Sequence, residues 1–270
     1  MFESLITIGS FQLRTLSVFQ VTAFFSAALI LWKRGREEHY AEARIMDAYL
    51  LSFLVGGAGA RLGFILLHLD QFGLNLFNWF NFVQYPGTQL LFGLITSTVY
   101  LYFFAKKNKW DAFEVLDFWA QALSLALFWL NIGYFFAGVR FGSATRLPWG
   151  IVFSGVFEKR HPIQAYYSLF HLIIYRWLWW LEFHYRTLEW YRGGRKTAQT
   201  GFLFIVFILT YSLFSLLMNW LGAPVIQIGQ TAVDTWIYVG LILFSLWLLV
   251  RRSNRLLFSW KHKKLLMIRK

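Results

Sequence analysis

Residues 46–68 read MDAYLLSFLVGGAGARLGFILLH. A helix needs about 20 mostly apolar residues to cross a bilayer, and this run supplies them with Arg61 as the one charge deep inside it. Gly56, Gly59, Ala60 and Gly63 stand at overlapping small-xxx-small spacings, which let helix backbones approach closely in a membrane. Counting from position 46 at about 1.5 Å per residue puts Arg61 about 22 Å from the start of the run. Charges at such depth are costly and commonly functional. Arg61 therefore reads either as a cavity residue for a lipid phosphate or as a structural arginine bonded to backbone carbonyls.

The rest of the chain repeats this character. Of 270 residues, 58% are hydrophobic, 21% aromatic and only 14% charged, against an apolar share of about 45–50% in soluble domains. A soluble core of this size cannot hide so much apolar surface. Six further runs are long enough to span, which gives seven: 16–32, 46–68, 86–105, 112–136, 163–183, 201–221 and 231–250. The expectation is one all-α integral membrane domain over 1–270 with seven transmembrane helices and a basic tail at 251–270. The first run is not read as a cleavable signal peptide. Its basic cluster (Lys33, Arg34, Arg36) follows the apolar stretch, and no small-residue cleavage site precedes that cluster.

The formal net charge is +13, so the position of the cations matters. Four basic residues fall in 33–44, three in 106–109, four in 186–196 and eight in 251–270. Every cluster follows an odd-numbered span, while loops 69–85 and 222–230 hold no Lys or Arg. The positive-inside rule then predicts an outward N-terminus and a cytoplasmic C-terminus. The tail has the charge to attract anionic lipid. Nucleic-acid binding needs basic residues on a soluble folded face, and none is visible. Cysteine is absent, which excludes disulfides, thiolate metal sites and a cysteine nucleophile in this chain. No metal-ligand spacing, P-loop or nucleophile elbow is present, so no cofactor and no metal are expected.

The loop 137–162 faces outward in this topology. It gathers Arg140, Arg146, Lys159, Arg160 and His161 among Phe141, Trp149 and Phe153. Basic groups beside aromatics at headgroup depth suit either a phosphate-bearing lipid or an ordinary interfacial anchor. In the fifth run Gln164, Ser168, His171 and Tyr175 recur at helical spacing on one face, a polar stripe for the bundle interior or a cavity wall. Arg176 lies near the inner end of that run, where its side chain can snorkel to the interface. Asp117 lies only about 9 Å into its run by the same rise per residue, so Arg61 and Asp117 are expected to have separate partners.

The stretch Phe141–Tyr166, FGSATRLPWGIVFSGVFEKRHPIQAY, resembles the bacterial prolipoprotein diacylglyceryl transferases. Gly142, Leu147, Pro148, Trp149, Gly150, Phe153, Arg160, His161, Pro162, Gln164 and Tyr166 carry the match, with Tyr167 where the family has glutamate. Ile8-Gly9, Gly59-x-Arg61-x-Gly63, Asp117-Phe118 and Gly229-Gln230 resemble further family marks in the same order. The resemblance implies seven spans with the N-terminus outside, in the bacterial inner membrane. It also implies a reaction: transfer of diacylglyceryl from phosphatidylglycerol to the lipobox cysteine of a prolipoprotein. That chemistry needs help in ionising the acceptor thiol and cations for the phosphate charge.

At the family's charged positions the pattern departs. Counted without gaps, the family arginine of the fourth helix falls on Asn131, its two asparagines on Tyr134 and Ala137, and its glutamate on Val139. The family histidine falls on Leu91, and the arginine of the sixth helix on Tyr211, with its neighbouring glutamate and second arginine on Ser215 and Met218. The family tyrosine near the N-terminus falls on Leu16. The transferase reading therefore needs a rearranged site, with Arg61, Arg140 and His161 as candidate catalytic groups. Candidate substrate-binding residues are Arg61, Arg140, Arg146, Arg160, His161, Gln164 and His171. The alternative is a non-catalytic protein on the same scaffold that binds a phosphatidylglycerol-like lipid or a lipoprotein partner. A lipid transporter is a third class, but the chain lacks the broken-helix pairs and inverted repeat of many transporters.

Overall fold

The computed structural model describes residues 4–8, 11–73, 75–185, 199–222, 226–228 and 231–252. A short antiparallel pair, β1 (Ser4–Ile8) and β2 (Phe11–Arg14), leads into α1 (Thr15–Glu37) and α2 (Glu42–Leu67). The turns α3 (Leu69–Phe72) and α4 (Leu76–Phe80) precede α5 (Leu90–Lys107) and α6 (Ala112–Ala137). Strands β3 (Ile151–Val152) and β4 (Lys159–Arg160) pair within the 137–162 loop, before α7 (Ile163–Tyr185) and α8 (Phe202–Leu221). A last small pair, β5 (Gln227–Ile228) and β6 (Thr231–Ala232), opens onto α9 (Val233–Arg252). The all-helical expectation is thus met apart from three two-stranded ribbons.

Five of these helices, α1, α2, α6, α8 and α9, are long and apolar enough to cross a membrane. The two other long helices are more compromised: α5 closes on Lys106 and Lys107, and α7 carries Gln164, His171, Arg176 and Glu182. Large apolar side chains face outward all along the bundle, with Phe25, Leu54, Leu66, Phe103 and Leu243 each more than 60% exposed. In water such a belt would drive aggregation; against lipid it costs nothing. Helix starts shift from the sequence reading where the local backbone forbids helix. Pro86 precedes Gly87 at φ +149, so the third long helix begins at Leu90 and not at 86. Gly201 sits at φ +90 as the residue before α8.

Helix α6 is the hub, packing on α1, α5, α7 and α8. Its central stretch from Val115 to Ser124 is buried on every side. Asp111 caps its start through the Phe113 N–H at 3.0 Å and the Glu114 N–H at 3.4 Å, and Gly138 in the left-handed region ends it, as glycine does at many helix C-termini. The α2–α5 contact uses the glycines read from the sequence. A Cβ on Gly59 would lie 2.0 Å from Thr96 Oγ1, and one on Gly63 2.4 Å from the Phe92 ring. The close approach therefore exists because those side chains are missing.

Polar partners sort the bundle into two ends. Arg61 and Asp117 do have separate partners. The fully buried Asp117 carboxylate accepts from the Gly201 and Phe204 N–H groups, both at 2.8 Å, so α6 supplies the cap that α8 lacks in its own sequence. Near the same end Arg34 donates to Gln121 at 3.0 Å, to Glu37 at 2.8 Å and to Glu182. Gln121 in turn donates to Glu182 at 2.7 Å. Arg34 belongs to the first basic cluster, which the sequence reading used for topology alone; it also ties α1, α6 and α7 together. Tyr40, between α1 and α2, donates to Glu114 at 2.6 Å, and burial together with that carboxylate pushes its phenol well up. Segments 33–44, 105–117, 199–204 and the end of α9 share this end. The 61–92 and 130–166 segments, with the junction of α8 and α9, share the other. The clusters 186–196 and 253–270 lie outside the described residues, apart from Arg251 and Arg252.

Candidate functional site

The site is set by how the 137–162 loop is seated. Gln164, in the first turn of α7, donates its Nε2 to the Val139 carbonyl at 2.5 Å. The Ser143 N–H and hydroxyl both reach the Leu221 carbonyl at the end of α8, at 2.9 and 2.8 Å. Gly142 donates to the His161 carbonyl at 2.8 Å, and a Cβ there would lie 2.5 Å from the Leu221 carbonyl oxygen. Only glycine allows this approach, which is the physical content of the Gly142 match noted in the sequence.

That seating holds Arg140 in the left-handed region at φ +63. A non-glycine residue there costs on the order of 1 kcal/mol or more, a strain the surrounding bonds impose. Its guanidinium stands 4.8 Å over the Tyr134 ring. Among the described residues it has no hydrogen bond and no ion pair.

Arg140 borders two cavities at once. One, of 290 Å³, is lined by side chains from α5 to α9 and includes Gln164, Tyr167, His171, Asn219, Asp234 and Tyr238. The other, of 530 Å³, lies between α1, α2, α5 and α6 and is mainly apolar, with Phe24, Phe53, Gly56, Leu94 and Leu123 in its walls. Leu90 and Leu127 share the boundary with Arg140.

Leu91, Asn131, Tyr211 and Met218 all line the smaller cavity. These are the positions on which gap-free counting placed the family's histidine and three of its arginines. Residues from three different helices, α5, α6 and α8, meet at one cavity, which supports that counting. Arg140, at the rim, is the single cation among the described lining residues, and Asp234 the single acid. Asp234 is fully buried, and its carboxylate accepts from the Thr235 N–H at 2.9 Å.

The cavity wall is otherwise neutral and aromatic. His171 stacks between Tyr167, at a ring separation of 6.2 Å, and Tyr211, at 5.8 Å. Tyr238 meets Tyr211 edge-on at 6.1 Å. His171 Nδ1 and Gln164 Oε1 are both buried without a hydrogen-bond partner. Buried polar atoms are rarely left so. The stripe read from the sequence is therefore an interior one: Gln164, Ser168 and His171 are all buried, and two of them face the cavity.

Of the sequence candidates, the structure brings together Arg140, Gln164 and His171. The others lie elsewhere. Arg61 Nε donates to the Trp79 carbonyl at 2.9 Å, and Nη1 to the Tyr85 and Gly87 carbonyls at 2.7 and 3.0 Å. It also lies over the rings of Phe72 and Phe82, at 5.0 and 4.4 Å. His161 faces a surface groove with Trp149 and Tyr166, its Nδ1 3.4 Å from the Tyr166 hydroxyl. Arg160 pairs with Glu158 at 3.7 Å, and Arg146 is exposed. Arg176 packs over Trp179 at 4.6 Å on the exposed face of α7. Gly229 and Gln230 fall outside the described residues. Asp234, Asn219 and Tyr238 had gone unnoticed in the sequence. Asp234 carried a usable signal, being an acid at the mouth of an apolar run; the other two carried none.

Comparison with known proteins gives a consistent result. A model of the family "Prolipoprotein diacylglyceryl transferase" matches residues 3–251. A phosphatidylglycerol–prolipoprotein diacylglyceryl transferase of Solidesulfovibrio magneticus is 29% identical over 265 residues, covering 92% of this chain and 93% of the relative. Proteins of the same name from Clostridium tetani and a Shewanella species are 23% and 28% identical, over 82% and 86% of this chain and 88% and 85% of their own lengths. With the match running over nearly the whole length, this chain belongs to the prolipoprotein diacylglyceryl transferase family.

Proposed function

We propose that this chain is a seven-span inner-membrane protein, N-terminus outward, that holds a diacyl lipid in its paired cavities without carrying out the family's transfer reaction. One observation carries the reading: Leu91, Asn131 and Tyr211 face a single cavity whose one described cation is Arg140 at the rim. Leu91 cannot take a proton from a thiol, and neither Asn131 nor Tyr211 can neutralise a departing phosphate. Removing one preorganised charge-stabilising group typically lowers a rate by about 10²–10³. Replacing several together leaves no transition-state stabilisation of the family's kind.

The lipid-binding half rests on the shape and chemistry that remain. An apolar cavity between four helices suits an acyl chain, and an unpaired guanidinium at its mouth suits a phosphodiester. The relatives' names give phosphatidylglycerol as their lipid and prolipoproteins as their acceptors. Carried to this chain, phosphatidylglycerol is the first candidate lipid and a prolipoprotein signal segment a candidate partner. Seven spans and the outward N-terminus are favoured by the alternation of the basic clusters with the spans. The placement of Arg61 and Arg140 at the end opposite Arg34 and Lys106 agrees with it.

A second reading keeps transfer chemistry, with Arg140 as the cation and His171 as the base, since both line the same cavity. Native mass spectrometry on protein released from nanodiscs tests the binding half. One bound diacyl lipid is expected on the wild type. Leu127→Trp, which fills the boundary between the cavities, should lose it. Wild-type protein that carries no lipid would remove the proposal.

A further inference from the structure

We infer that the smaller cavity recognises the hydroxyl groups of a lipid headgroup and leaves the phosphate at the rim. This rests on the lipid-binding reading above and specifies which part of the ligand enters. Gln164 shows which chemistry the wall can take. Its Nε2 is committed to the Val139 carbonyl, and that fixes the amide orientation, because a flipped amide would set oxygen against oxygen. The buried Oε1 is then an acceptor without a donor. An ionised phosphodiester offers only acceptors, so it cannot satisfy that atom; a hydroxyl can.

The rest of the wall agrees. Asp234 places a carboxylate on the cavity, a group that repels phosphate and accepts from hydroxyls. Asn131 and Asn219 offer neutral amides there, and the phenols of Tyr167, Tyr211 and Tyr238 both donate and accept. Arg140 stays outside this set, exposed and shared with the apolar cavity. A lipid lying across the boundary would put an acyl chain on one side of Arg140 and a hydroxyl-bearing headgroup on the other. Glycerol on a phosphodiester lipid and a hexose on a glycolipid share this chemistry.

The test uses the full chain in detergent and follows thermal unfolding by tryptophan fluorescence. Four lipids of matched acyl length are compared: phosphatidylglycerol, monoglucosyl diacylglycerol, phosphatidic acid and diacylglycerol. At least one hydroxyl-bearing lipid should raise the midpoint by several degrees at concentrations where phosphatidic acid and diacylglycerol do not. Phosphatidylglycerol alone would identify glycerol as the source of the hydroxyls; the glucolipid alone would identify the sugar. Tyr211→Phe and Tyr238→Phe remove one hydroxyl each without changing shape, and each should reduce the shift by half or more. Gln164→Leu should abolish it; should that variant fail to fold, the two phenylalanine variants decide. Phosphatidic acid protecting as well as phosphatidylglycerol would overturn the inference and leave lipid binding standing. Protection by none of the four would overturn both.

Discussion

Arg61→Ala separates two roles that the sequence alone left open. In the structure the guanidinium makes three short bonds to the carbonyls of Trp79, Tyr85 and Gly87 and lies over two aromatic rings. Net hydrogen-bond contributions of about 1 kcal/mol each, with about 1 kcal/mol in total from the ring contacts, give about 4 kcal/mol. That energy acts locally, because these partners all belong to the segment from Phe72 to Gly87. Since about 1.4 kcal/mol is a factor of ten, amide exchange across 76–89 should accelerate by about three orders of magnitude. Exchange in the α6 core around Phe118 should stay as it is. Arg61→Lys, with a compact ammonium in place of a planar fork, should recover part of the protection. Lipid occupancy by native mass spectrometry should change far less than in Arg140→Gln. Unchanged exchange at 76–89 in Arg61→Ala, or loss of bound lipid while the segment stays protected, would rule out a purely structural role for Arg61.

Three further outcomes follow from the same geometry. Asp117→Ala leaves the Gly201 and Phe204 N–H groups buried without an acceptor, which should cost about 3–5 kcal/mol and lower the thermal midpoint by roughly 10 °C; Asp117→Asn, keeping one acceptor, should fall between. Gly59→Val drives methyl groups into Thr96 and should destabilise the α2–α5 contact by about 1–3 kcal/mol, measured by thermal unfolding, whereas Gly57→Ala meets open space and should be neutral. Arg140→Gly relieves a left-handed backbone and should raise stability by about 1 kcal/mol while weakening lipid binding, two opposite shifts read in one titration.

Much of the fold was legible because the bilayer simplifies the pattern. A span announces itself by length and apolarity, and the glycines of α2 announce a close neighbour. The separation of Arg61 from Asp117 followed from rise per residue alone. What escaped was anything that depends on which helices meet. The Arg34–Gln121–Glu182 network joins residues far apart in the chain, and only packing shows that a topological cation is also an internal tie. In the site, spacing on one helix exposed Gln164 and His171 as a stripe. Arg140 was one of five basic groups in its loop, and nothing in the sequence set it apart from Arg146 or Arg160. Its backbone conformation, forced by Gly142, Ser143 and Gln164 around it, is what turns it toward the cavities. Asp234 and Tyr238 arrive from α9 by tertiary contact, for which local periodicity has no signal.

On the reading proposed above, the family scaffold persists in this chain with its transfer chemistry gone. Purified chain incubated with phosphatidylglycerol and a lipobox peptide, beside an active relative under the same conditions, decides this by mass spectrometry of the peptide. No diacylglyceryl thioether is expected from this chain while the relative converts its peptide. A thioether product that forms with the wild type and disappears in Arg140→Gln would contradict it.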